Sequence, residues 1–104
     1  MMQAQEAFRW EAHHQWAIQK RELGERVGTP RSCSTCPLVT ALNELTGCTW
    51  ETGDRYMYNM CCTSKVEIPD WMESTIIAVD RQVGTLSAGK YVFILEEINR
   101  FPKQ

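Results

Sequence analysis

Between Ala4 and Leu23 the apolar residues Ala4, Phe8, Ala12, Trp16 and Leu23 fall on one stripe about 120° wide at helical pitch, which predicts a long N-terminal helix. Gly24 supplies its stop, and Lys20 and Arg21 occupy the last turn, where the helix dipole favours cations. The stretch 24–35 is rich in Gly, Pro, Ser and Thr and follows no period, so it reads as a loop. A second helix is then predicted over Pro37–Thr46. Pro37 suits its first position, Leu38, Ala41, Leu42 and Leu45 give an i, i+3, i+4, i+7 face, and Gly47 is placed to end it.

Aromatic and β-branched residues around the turn formers Gly53-Asp54 and Thr63-Ser64 predict strands over 49–51, 55–61 and 65–68. Pro69-Asp70, with Glu73 three residues on, reads as the start of a third helix with Asp70 as its cap. Met72, Ile76, Val79 and Val83 form the buried stripe of that helix, and Gly84 ends it. In Lys90 to Ile98, Val92 and Ile94 alternate with Tyr91, Phe93 and Leu95, which predicts a central strand apolar on both faces. The order predicts an α+β fold: a small, mainly antiparallel sheet of three to four strands with about three helices, two of them on one face.

A chain of 104 residues predicts one domain over 1–104, in which helix 1–23 and loop 24–35 precede an α+β core from 36 to 104. No apolar run approaches the roughly 20 residues that cross a bilayer, so no membrane association is expected. The start, Met1-Met2-Gln3-Ala4-Gln5-Glu6, lacks a basic segment and an apolar run, so no secretory signal and a cytoplasmic location are expected. A net charge of −2 gives no field to attract phosphate backbones, and nucleic acid is not expected as a partner. Five cysteines, an odd number without a signal, point to reduced thiols.

The motif with the most chemical content is Cys33-Ser34-Thr35-Cys36-Pro37. A CxxC that opens a helix places a thiolate near backbone N–H groups, which suits thiol–disulfide exchange. A thioredoxin-like enzyme needs a buried strand leading into that motif, and 24–32 is too polar and too broken to be one. Packing of Cys36 beneath the helix start is the plainer alternative. Zinc has ligands in Cys33, Cys36, Cys48, Cys61, Cys62, His13 and His14, but a second close-spaced pair is missing, because adjacent strand residues such as Cys61 and Cys62 point to opposite faces. A cysteine hydrolase would draw its base from His13 or His14 and lacks an orienting partner. Phosphate-binding loops, dinucleotide glycine patterns and serine nucleophile elbows do not occur. No catalytic residue, metal or cofactor is therefore assigned.

The residues from Arg31 to Glu96 resemble a group of small proteins of tailed, actinobacterial-type bacteriophages. The likeness lies in Cys33-Ser34-Thr35-Cys36-Pro37 with the Leu/Ala-rich helix after it, the step Ile68-Pro69-Asp70, the run Asp80-Arg81-Gln82-Val83-Gly84, and Val92-Phe93-Ile94-Leu95-Glu96. It covers about two-thirds of the chain, carries no established activity, and implies a phage setting in a bacterial cytoplasm. The long N-terminal helix departs from the group.

That helix has a second face, Trp10, His14, Ala17 and Arg21, opposite its core stripe. A Trp and an Arg on an exposed helix are typical interface anchors. Tyr56 and Tyr58, on one face of a strand, are a second candidate. The leading expectation is a non-enzymatic protein-binding module, phage-encoded, that antagonises or modulates a host factor such as an immune component, or binds itself. The alternatives are a small-ligand sequestering protein that lines a pocket for a nucleotide-like molecule with Trp50, Tyr56 and Tyr58, a thiol oxidoreductase using Cys33 and Cys36, and a structural zinc module.

Overall fold

The computed structural model describes residues 1–84 and 86–100. Its elements are α1 (Ala4–Ala7), α2 (Trp10–Leu23), α3 (Pro37–Thr46), β1 (Trp50–Thr52), β2 (Tyr56–Asn59), β3 (Ser64–Glu67), α4 (Asp70–Asp80) and α5 (Ala88–Arg100). The α+β class is as expected, with five helices among the described residues and one antiparallel sheet ordered β1-β2-β3.

The single N-terminal helix of the sequence reading is two helices, because Arg9 is extended at φ −84° and ψ 144°. A break there strands backbone carbonyls that water would otherwise solvate. Two distant side chains take them up: His13 Nε2 donates to Ala7 O at 2.7 Å and Trp71 Nε1 donates to Phe8 O at 3.1 Å. His13 is thus a buried cap for α1. The helix ends at Gly24 and Gly47 are as the sequence suggests, both glycines being left-handed at φ 69° and 74°.

The segment expected as a central strand is helix α5. Tyr91 to Leu95 is apolar throughout, so alternation and helical spacing both fit it. The wider set Ala88, Tyr91, Val92 and Leu95, all buried, has the helical i, i+3, i+4, i+7 pattern. Ser87 starts the helix, its Oγ accepting from Lys90 N at 3.2 Å. The sheet consequently stops at three strands.

At α4 the cap is Pro69, whose carbonyl accepts from Met72 N and Glu73 N at 3.0 Å, and Asp70 is the first helical residue. The helix ends at Asp80, so Val83 leaves the expected stripe and is 91% exposed. Arg31 reaches back to this end. Its Nη1 donates to Asp80 O at 2.8 Å and Gln82 O at 3.2 Å, and its backbone N–H donates to Asp80 Oδ1 at 3.0 Å. These bonds pin loop 24–36 to α4, while Val27 buries its side chain beneath the loop.

Helix α5 packs against both α2 and α4, and α3 lies against α1, α2 and β1. Trp10, at the start of α2, meets Leu95 near the end of α5, and Arg21 lies beside Gly89 at its start, so α2 and α5 run antiparallel. The core between these layers holds Trp16, Leu38, Leu42, Trp50, Met57, Met72, Tyr91 and Leu95. Tyr91 is fully buried and its hydroxyl has no hydrogen-bond partner among the described residues, while burial pushes its pKa well above the ordinary tyrosine value. Tyr91→Phe removes that unsatisfied hydroxyl and is expected to raise stability by about 1 kcal/mol in urea unfolding, where a buried OH without a partner costs about 1–3 kcal/mol. A loss of stability would mean that the hydroxyl has a partner in solution.

Candidate functional site

Cys36 is the N-cap residue of α3 and makes no side-chain cap hydrogen bond, although the backbone N–H groups of Leu38 and Val39 lie near enough to draw its pKa down. Those donors favour a thiolate, as the CxxC reading requires. Burial outweighs them: desolvation comes first among the influences on this thiol, Asp80 adds a repulsive charge, and the net effect pushes the pKa up. The sulfur lies 3.7 Å from Thr52 Oγ1, within the packing between α3 and β1. Cys33 is exposed, and its carbonyl accepts from Thr52 N at 2.9 Å, which fastens the loop to β1. A cleft of about 260 Å³ opens between them, lined by Arg31, Cys33, Cys36, Thr52 and Asp80. Its arginine is committed to the end of α4, and the buried cysteine is held as a thiol. Cys36 is therefore not activated as a nucleophile in this cleft.

Histidine does not supplement it. His13 is buried against Trp71, with ring centroids 5.1 Å apart, and burial pulls its pKa down to about 4 despite the bond to Ala7. His14 lies on the other side of α2, with Nε2 2.9 Å from Glu96 Oε2. Among the described residues no three His, Cys, Asp or Glu side chains gather where they could hold a metal ion. In the same residues no helix is long and apolar enough to cross a membrane.

The face of α2 expected to be free is an internal seam. Trp10 is half-buried, donates from Nε1 to Leu95 O at 2.9 Å, and stacks on His14 at 4.5 Å between ring centroids. Ala17 is fully buried, and α5 covers it. Only Arg21 keeps an exposed side chain, at the rim of a cavity of about 380 Å³ between the end of α2 and the start of α5. The reason is the missing helix: once 90–98 is helical, it needs a partner surface, and the Trp10/His14/Ala17 face provides it.

The aromatic pocket expected from Trp50, Tyr56 and Tyr58 does not form either. Trp50 pairs with Asn59 and shares the inner face with Met57, where it is buried. Tyr56 and Tyr58 alternate with those residues and lie on the outer face. Their ring centroids are 6.4 Å apart. Lys65, opposite Tyr58 on β3, puts its Nζ 4.3 Å from the Tyr56 ring centroid. Tyr58 is 41% exposed and lies over Gly53, where a Cβ would come within 2.4 Å of its ring, so only glycine permits this seat. Met60 follows at 55% exposure. Beside this face runs β3, an edge strand of the sheet.

The outer face therefore combines two tyrosines held in fixed positions, a cation over one of them, an exposed methionine and an open edge. Rigid aromatics with little rotamer entropy to lose are well suited to a protein contact. The sequence had marked Tyr56 and Tyr58 but not Lys65 or Met60, which enter through the hairpin register. No family model, curated protein or solved structure matches the chain.

Proposed function

We propose that this chain is a non-enzymatic protein-binding module whose contact surface is the outer face of the sheet, centred on Tyr56, Tyr58 and Lys65. The observation that carries the reading is the tyrosine pair on the outer face, Tyr58 exposed and Tyr56 half-buried, held by Gly53 and Lys65 beside the edge strand β3. The charges of Lys65 and Glu67 on that edge discourage indiscriminate strand pairing, so recognition falls to the side chains. The resemblance to small phage proteins adds the setting: a phage-encoded factor in a bacterial cytoplasm that binds a host protein and modulates it, immune components included.

The test uses a partner captured from bacterial lysate on the immobilised chain, identified, purified and titrated against variants. Tyr56→Ala with Tyr58→Ala is expected to weaken binding at least tenfold, with the thermal unfolding of the free chain nearly unchanged, since both side chains lie outside the core. Arg21→Ala should leave the affinity intact. Equal affinity for the tyrosine variant and the unaltered chain would move the contact elsewhere.

A further inference from the structure

We infer that Cys48 and Cys61 form a redox-modifiable dithiol, converted by a small-molecule disulfide of the glutathione class into a cross-link between the start of β1 and the end of β2. Strands β1 and β2 pair with Trp50 opposite Asn59. The ladder continues one step outward, because Met60 N donates to Thr49 O at 2.8 Å. Strand β2 ends at Asn59, so Cys61 lies in the 60–63 turn just beyond that bond, as Cys48 lies just before Thr49.

A second observation locates the sulfur. Cys61 Sγ accepts from Thr49 N at 3.3 Å. Peptide geometry puts that nitrogen about 2.4 Å from the Cys48 Cα, so the Cys61 sulfur lies within about 5.7 Å of it. Bonding brings the two sulfurs to about 2.05 Å, which rotation of both side chains with a small shift of the 60–63 turn supplies. Asn59 Oδ1 accepts from Cys61 N at 3.0 Å and holds the turn in this shape. Cys61 is exposed and Cys48 half-buried at the margin of the core, so reagent reaches the first and the second resolves the product.

The remaining thiols are placed differently. Cys62, next in the chain, faces Ser64, its Sγ 3.0 Å from Ser64 Oγ. Cys36 is buried against Thr52. The chemistry is two exchanges. The Cys61 thiolate attacks one sulfur of the small disulfide and expels a thiolate, leaving a mixed disulfide; the Cys48 thiolate then attacks the Cys61 sulfur and expels the second. Two protein thiols lose two electrons and two protons, and the reagent leaves as two thiols.

The experiment treats the reduced full chain with oxidised glutathione, quenches in acid, and cleaves after Arg55, which separates Cys48 from Cys61. The expected main product is a pair of joined peptides whose fragmentation places the bond on Cys48 and Cys61. Cys61→Ser should lose that cross-link, and Cys62→Ser should keep it. A main product linked Cys33 to Cys36 or Cys61 to Cys62, or a glutathione adduct with Cys48 still free, would overturn the inference on the unaltered chain, without reliance on how either variant folds.

Discussion

Trp50→Ala is expected to destabilise the protein by about 3–5 kcal/mol, a large share of the about 5–15 kcal/mol that a domain of this size has in reserve. Its indole lies edge-on to Phe8, with centroids 5.3 Å apart, and Nε1 donates to Thr46 Oγ1 at 3.0 Å. The residue therefore joins the end of α1, the last turn of α3 and the first position of β1. Truncation leaves a large void among three elements and removes the indole's bond to the Thr46 hydroxyl, which also donates to Leu42 O and accepts from Cys48 N in the same corner. Urea titration followed by circular dichroism measures the loss. Trp50→Phe, which restores most of the volume and not the hydrogen bond, should recover more than half of it. A Trp50→Ala loss below about 1 kcal/mol would mean that this corner is not part of the core.

Acid should unfold the protein through His13. The imidazole titrates at its ordinary 6.5 in the unfolded chain and at about 4 when buried, so between those values the unfolded state takes up a proton that the folded state refuses. The group's contribution is complete above pH 6.5 and is lost as pH falls toward 4. At pH 4.5 that single residue costs about 2–3 kcal/mol relative to pH 7.5. The structural cause is visible at the ring: Nε2 already donates to Ala7 O, and the buried Nδ1 has no partner among the described residues, so protonation would create a charge and a donor with none of them to accept it. His13→Gln keeps an amide donor within reach of Ala7 O and removes the titration. Its stability should fall by about 2 kcal/mol less than that of the unaltered chain between pH 7.5 and 4.5. Equal acid sensitivity in the two proteins would assign the effect to the carboxylates.

Part of the fold was legible in the sequence and part was not, according to whether the signals were local. Helix α3 was readable in full because Pro37, its leucine face and Gly47 are all local signals. The tight turns between strands were also local, so the three short strands lie within two residues of the expected limits at every end. Helix α5 was not, because Tyr91 to Leu95 satisfies both periods, and only Ser87 as a cap and the wider spacing from Ala88 separate them. That one misreading propagated to the site. A strand at 90–98 leaves Trp10 and Ala17 on an open face, whereas a helix there covers both. Likewise the break at Arg9 depends on His13 and Trp71 supplying donors from elsewhere in the chain, which no local pattern reveals. Tyr56 and Tyr58 survived as candidates because strand alternation fixes their side of the sheet irrespective of what the helices do.

The proposed contact surface is tested most directly by amide hydrogen exchange on the chain with and without its purified partner. Binding through the outer sheet face predicts slowed exchange across β2, the 60–63 turn and β3, with α2 and the Cys33–Cys36 loop unchanged. Protection confined to that loop or to the α2–α5 seam, with β2 and β3 exchanging as in the free chain, would contradict it.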